Sequence, residues 1–288
     1  MTVGVLGIII CPMNDDQMLY SLEKDGEISR IVLLDNPHSE MICKKLESKG
    51  LAFEHMGEKE FLHGDLVADQ RSFTVVIRTN DLALHGDPKY LRTYVEDQVR
   101  EMQPFVDSLG VYYGLCGNYG WDLEAWAVEN GFKPLAVFKG DDGRVCDDCV
   151  AIAVGSSTRY LQLEKTYTGM FYVTPAIADN WVKFISAGGV EGAGEGDLES
   201  QIRRMPKEVL EVFGITDATS YMRWMFEIGN YTNLLKLYTG LSDRAVFDCK
   251  VDGIGRDLNL KPIDIGPGWV TLDPADALYN RAKSAIGS

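Results

Sequence analysis

The stretch VGVLGIII (residues 3–10), followed by Cys11 and Pro12, is the clearest indication of a fold in this chain. It is a continuous apolar run rich in β-branched residues, which is typical of a strand buried on both faces. Pro12 restricts the backbone and favours a turn after the strand. We therefore predict a central strand of an α/β domain that ends at Cys11.

The rest of the first half alternates between strand and helix patterns. Further strands are predicted at 30–35, 73–79, 106–114 and 134–140. Helices are predicted at 14–23, 37–50, 88–104 and 120–130. Strands separated by helices of this length indicate βαβ units with right-handed crossovers. The predicted fold class is a doubly wound α/β fold with a mostly parallel sheet.

The alternation continues less regularly in the second half. Strands are predicted at 170–175, 231–240 and 261–268, and helices at 155–165, 176–189, 197–214 (kinked at Pro206), 221–229 and 274–284. The Gly-rich, acidic stretch 187–197 is predicted to be a mobile loop or linker. We divide the chain into an α/β lobe at 1–150 and a second α/β region at 151–288. Two Rossmann-like lobes and a single sheet both fit this pattern.

Composition excludes several classes of protein. The formal net charge is −15, so the chain lacks the basic face that nucleic-acid binding needs. No apolar stretch reaches the length of a membrane span, and the first strand lacks the basic flank of a signal peptide. Six widely spaced cysteines do not resemble a secreted disulfide framework. We expect a cytoplasmic protein with free thiols.

Three cysteines follow predicted strands. Cys11 ends the first strand, Cys116 lies in YYGLCGN after the fourth, and Cys149 lies in CDDC beyond the fifth. Because ligands bind outside the carboxyl ends of parallel strands, we expect the three thiols at one sheet edge. Three converging thiols are typical of a soft metal ion, a cluster or redox chemistry.

The loop around Cys116 is a candidate ligand-binding turn. Gly114 and Gly117 flank the cysteine and permit close approach of the backbone to a ligand. A helix starting near residue 120 is expected to lower the pKa of the Cys116 thiol. Asn118 is interpreted as the cap of that helix or as a ligand donor.

The CDDC segment and one histidine complete the candidates. The spacing of Cys146 and Cys149 suits a metal or a redox dithiol, and the intervening Asp147 and Asp148 favour the metal, whose charge they offset. His38, after the second strand, is a candidate fourth ligand, although a solvated role is the commoner one for such a residue. Dinucleotide and P-loop glycine motifs are absent from the sequence.

The segments CPMNDDQM, YGLCGN, DDCVAIAVGSSTRY and GMFYVTPAIADNW resemble the family called domain of unknown function 1638. The resemblance implies a setting in methanogenic archaea and anaerobic bacteria, often beside corrinoid-dependent methyltransferases. It implies functional roles for Cys11, Cys116 and Cys149 but not for Cys146. Asp147 stands where the family pattern has a histidine.

Three functions follow as expectations. The first is a metal- or iron–sulfur-binding protein, with Cys11, Cys116 and Cys149 as ligands, that takes part in or assists corrinoid-dependent methyl transfer. The second is a small-molecule-binding α/β enzyme with a reactive Cys116 thiolate. The third is a non-catalytic partner of a corrinoid protein or methyltransferase, which docks through its acidic surface.

Overall fold

A computed structural model describes residues 2–67, 71–82, 84, 87–186 and 198–287. The predicted loop at 187–197 lies outside the described residues. The larger sheet consists of β1 (Gly4–Ile10), β2 (Ile28–Asp35), β3 (Glu54–Gly57), β4 (Phe73–Thr79), β5 (Ser108–Tyr112) and β6 (Leu135–Val137). Their order is β3-β2-β4-β1-β5-β6, and all neighbouring pairs are parallel.

A smaller sheet forms in the second half of the chain. It consists of β7 (Met170–Val173), β8 (Asn233–Lys236) and β9 (Lys261–Asp264), which pair in parallel in that order.

Fourteen helices surround the two sheets in the described part of the chain. They are α1 (Asp15–Lys24), α2 (Glu40–Ser48), α3 (Glu58–Leu62), α4 (Pro88–Met102), α5 (Leu123–Glu129), α6 (Cys149–Val154), α7 (Ser157–Thr166), α8 (Pro175–Asp179), α9 (Trp181–Ser186), α10 (Leu198–Arg204), α11 (Lys207–Phe213), α12 (Ala218–Ile228), α13 (Arg244–Leu258) and α14 (Asp273–Ser284).

Helices cover both faces of the larger sheet. Along β1, Ile8 and Ile10 pack in a core with α1, α2 and α14, whereas Ile9 and Cys11 pack on the opposite face with α4. This alternation follows from the two-residue period of a strand and explains why β1 is apolar throughout. The predicted doubly wound α/β fold is confirmed.

The helix α14 returns from the second half of the chain to the larger sheet. Leu278 is fully buried in the core beside α1. The Ser108 hydroxyl on β5 donates a 2.7 Å hydrogen bond to the Ala282 carbonyl oxygen, and Lys283 pairs with Asp25 at 2.6 Å. The larger sheet is therefore completed by residues that lie beyond the predicted boundary at residue 150.

Some predicted elements differ from the structure. The helix predicted at 176–189 is two helices, α8 and α9, and that at 197–214 is also two, with Pro206 capping α11 instead of kinking one helix. The prediction missed β3, α6 and α13: β3 is short and polar, α6 is a six-residue helix, and α13 contains two glycines, which lower helix propensity.

No helix among the described residues combines the length and the apolar character needed to cross a membrane.

Truncation of Leu278 tests whether α14 is an integral part of the larger-sheet core. Leu278→Ala leaves a cavity against β5 and should lower the free energy of unfolding by about 2–5 kcal/mol in chemical denaturation. Leu161→Ala, at a 54% exposed position on α7, is the matched control and should cost less than about 1 kcal/mol. Equal costs for the two variants would contradict the packing described here.

Candidate functional site

The site lies at the carboxyl ends of two adjacent parallel strands, β1 and β5. The helix after β1 packs on one face of the sheet, and the helix after β5 packs on the other. A crevice opens where neighbouring connections diverge in this way, and such crevices are the usual ligand sites of doubly wound folds.

Cys11 is the first residue after β1. It is only 9% exposed and belongs to the core face that also carries α4. Its carbonyl oxygen accepts a 2.9 Å hydrogen bond from the Asn14 backbone N–H, which closes a single 3₁₀ turn that begins at Pro12. The turn predicted from Pro12 is present.

Cys116 lies in the loop after β5 with a left-handed backbone, φ +46°. Residues other than glycine seldom adopt this conformation, and strained residues of this kind are enriched at functional sites. Two backbone hydrogen bonds secure the loop: Leu115 N–H donates to the Cys146 carbonyl at 2.9 Å, and Cys116 N–H donates to the Asp147 carbonyl at 2.6 Å. These bonds tie the Cys116 loop to the segment that carries Cys149.

The glycines of this loop allow close contacts with other parts of the protein. A Cβ on Gly114 would stand 2.7 Å from the Cys146 carbonyl oxygen, so glycine is required where the two segments touch. Gly117 has φ +85°, and a Cβ there would meet the Pro88 ring at 2.8 Å. Only Gly117 of the two lines the cavity described below.

Two expectations for this loop were wrong. Asn118 does not cap a helix: α5 begins at Leu123 and is capped by Asp122, while the Asn118 side-chain N–H donates to the Pro88 carbonyl at 2.7 Å. Because the helix starts well beyond Cys116, its N-terminus does not lower the pKa of that thiol. Burial instead raises this pKa to about 12, with a further contribution from Asp148.

Cys149 begins α6 instead of ending a strand, since β6 ends at Val137. The helix is capped by Asp148, whose Oδ1 accepts hydrogen bonds from Val150 N–H and Ala151 N–H, each at 2.9 Å. Cys146, by contrast, is fully buried in the opposite core, beside α14. The two cysteines of CDDC therefore occupy different environments, and only Cys149 lines the cavity described below.

One cavity of about 550 Å³ connects the three thiols. Cys11, Cys116 and Cys149 all line it, together with an aromatic wall formed by residues of the second half. No three His, Cys, Asp or Glu side chains within the described ranges stand close enough together to hold one metal ion. The thiols thus share a cavity without forming a closed ligand set.

The three thiols influence one another electrostatically. Burial raises the pKa of Cys11 well above its usual value, and the neighbouring Cys116 raises it further. Burial also raises the pKa of Cys149, with added contributions from Asp148, Cys116 and Cys11. The cavity lining contains no Lys, Arg or His among the described residues. Burial and mutual repulsion therefore favour the neutral form of all three thiols.

Asn14 contributes an unpaired polar atom to the cavity wall. Its side chain is 2% exposed, and its N–H donates to the Tyr112 carbonyl at 2.9 Å, but its buried Oδ1 has no hydrogen-bond partner in the described structure. An unpaired buried acceptor is costly, and a bound ligand with a donor group would satisfy it.

The other sequence candidates lie away from this cavity. His38 stands beside Asp81, with 3.9 Å between Nδ1 and Oδ1, and does not line the cavity. Cys43 is half-buried on α2, and Cys249 is exposed on α13.

Sequence reasoning missed most of the wall that faces the thiols. Phe226 is buried, and it also lines the cavity. Tyr160, Tyr172 and Glu164 were not considered. Local pattern offers no signal for them, because strand pairing and helix packing in the second half bring them to the thiols.

Removal of the Asp148 charge tests the electrostatics of the site. Asp148→Asn keeps a good helix cap but removes a negative charge, so the pKa of Cys116 should fall. With a pKa of about 12, only about one Cys116 thiol in a thousand is ionised at pH 9 in the wild type. At this pH, Cys116 of the variant should be alkylated roughly three- to tenfold faster than Cys116 of the wild type. The measurement is the iodoacetamide rate at Cys116, followed by peptide mass spectrometry.

The control for this experiment is Asp122→Asn, which changes the same residue type at the cap of α5. Its alkylation rate should equal that of the wild type. Equal rates for Asp148→Asn and the wild type would contradict the assigned influence of Asp148.

Comparison with known proteins identifies the family of the chain but no activity. A family model described as a protein of unknown function, DUF1638, matches residues 80–273, which include Cys116, Cys149 and the aromatic wall. No curated protein and no solved structure shows significant similarity to the chain. The match covers more than half of the sequence, and the chain belongs to the DUF1638 family.

Proposed function

We propose that Cys11, Cys116 and Cys149 together bind a soft metal centre, most suitably an iron–sulfur cluster, at the base of the cavity. The observation that carries the proposal is the convergence of three thiols, from three separate segments, on one cavity of about 550 Å³. Thiolates are the preferred ligands of soft metal ions and of iron–sulfur clusters.

The charge of the site supports a cationic centre. The three thiols and the carboxylates of Asp147 and Asp148 line the cavity, and no basic side chain among the described lining residues offsets them. Ionisation of the thiols without a cation is opposed by burial and by mutual repulsion. A metal centre would supply the positive charge and displace the thiol protons.

A cluster can accommodate thiols that stand further apart than a single ion allows. Zinc holds thiolates at about 2.3 Å, which places the sulfur atoms roughly 3.8 Å from one another. The described side chains include no group of three potential ligands as close as one ion requires. In a cluster each thiolate binds a different iron atom, so the ligands stand further apart.

Three protein thiolates leave one position of a four-iron cluster open. That position would face the cavity, where Asn14 Oδ1 and the aromatic wall also lie. An exchangeable site beside a cavity suits binding of a small molecule by the metal centre. The proposal retains the expectation from the family resemblance that the chain takes part in, or assists, corrinoid-dependent methyl transfer.

The alternative of a reactive Cys116 thiolate receives less support. A nucleophilic cysteine needs a lowered pKa, provided by a positive neighbour or a helix N-terminus. Cys116 instead has a pKa of about 12, because it is buried and lies beside Asp148. The thiol is therefore suited to metal binding, in which the cation itself displaces the proton.

Anaerobic purification followed by metal analysis and visible spectroscopy tests the proposal. The wild type should contain iron and acid-labile sulfide and absorb in the visible range. Cys11→Ser, Cys116→Ser and Cys149→Ser should each reduce bound iron to less than about one-tenth of the wild-type content, since each substitution removes a proposed ligand.

The chain provides two matched controls. Cys249→Ser changes an exposed cysteine on α13, and Cys146→Ser changes a cysteine in the opposite core, so both should retain full iron content. Thermal unfolding of every variant separates loss of metal from loss of fold. A folded wild type without metal, or equal iron loss in Cys249→Ser, would overturn the proposal.

A further inference from the structure

The wall that faces the thiols consists largely of aromatic rings from the second half of the chain. Tyr160 on α7 and Tyr172 on β7 meet edge to face, with ring centroids 5.4 Å apart. The ring centroid of Phe226 lies 5.1 Å from the ring centroids of both Phe171 and Tyr231. All five residues line the cavity. They present aromatic faces and edges to whatever occupies it.

Carboxylates without a salt-bridge partner accompany these rings. Asp147, Asp148 and Glu164 line the same cavity, and within the described part of the chain none of them forms a salt bridge. Arg159, the half-buried cation of α7, lines a different cavity, with Lys139 and Gly155. The cavity lining therefore combines aromatic rings with negative charge.

The carboxylates also act on the tyrosines of the wall. Burial raises the pKa of Tyr172 to about 12, with Glu164 as the next contribution. Burial, Asp148 and Glu164 raise the pKa of Tyr160 above its usual value. A second negative charge is thus disfavoured in this part of the cavity, and an anionic ligand would meet the same repulsion.

We propose that this cavity binds a small methylated ammonium cation against the wall formed by Tyr160, Phe171, Tyr172, Phe226 and Tyr231, with Glu164 and Asp148 supplying the opposite charge. The inference rests on the proposed function, because it names the class of small molecule that would approach the metal centre. Its own support is the wall, which contains none of the thiols.

The chemistry of the wall matches a methylated cation better than other small molecules. A positive charge over aromatic faces is stabilised by the ring quadrupoles, and quaternary ammonium groups are recognised in this way. A methyl-covered nitrogen needs few hydrogen-bond acceptors, whereas a primary ammonium has three donors to satisfy. A neutral molecule of equal size would gain nothing from Glu164 and Asp148.

Isothermal titration calorimetry with three probes tests the inference on the full-length protein. The probes are choline, its neutral isostere 3,3-dimethylbutan-1-ol, and the primary amine ethanolamine. Choline should bind at least about tenfold more tightly than either of the others, since only choline combines a charge with a methylated surface.

Substitutions in the wall should weaken choline binding selectively. Glu164→Gln removes a charge at an exposed position and should weaken choline about three- to tenfold while leaving the neutral isostere unchanged. Tyr231→Leu removes a ring and should weaken choline by a similar factor. Glu208→Gln, at an exposed position on α11 outside the cavity lining, is the matched control for Glu164→Gln and should bind like the wild type.

The outcomes separate this inference from the proposed function. Cys116→Ser leaves the aromatic wall intact and should retain choline binding. A wild type that contains no metal after anaerobic purification but still prefers choline would overturn the proposed function and support the inference. A metal-loaded protein would overturn the inference if it binds no choline up to about 10 mM or binds either comparison probe as tightly as choline.

Discussion

Two backbone hydrogen bonds between the Cys116 loop and the CDDC segment determine the arrangement of the site. They join Leu115 to Cys146 and Cys116 to Asp147, and they require Gly114 at the point of contact. Through them, a loop after β5 and the start of α6 become a single unit. Cys116 and Cys149 therefore reach one cavity although no regular strand pairing joins their segments. The left-handed backbone at Cys116 is the local consequence of this close contact.

The sequence predicted the part of the site that follows from strand geometry. Cys11 directly follows the buried strand β1. Cys116 lies in a glycine-flanked turn after β5, the buried strand beside β1 in the sheet. The fold class follows from the same alternation of strands and helices. These features are local, since each depends on a short stretch of sequence whose period and turn residues are visible.

The remainder of the site depends on contacts between distant residues. Cys149 reaches the cavity by starting a helix, and the aromatic wall arrives from β7, α7 and α12 through packing of the second half. The contact of Asn118 could not be predicted from local sequence either, because its hydrogen-bond partner, the Pro88 carbonyl, is distant in sequence. Tertiary packing of this kind overrides local preference, so no motif around these residues indicates their position.

The return of α14 to the larger sheet has a consequence for the order of folding. β5 and β6 are synthesised well before α14, which follows the whole of the second half. Until α14 emerges from the ribosome, the apolar surface that Leu278 and Tyr279 cover stays exposed on the nascent chain. The larger sheet therefore completes its core only once α14 is available, after the whole of the second half has been synthesised.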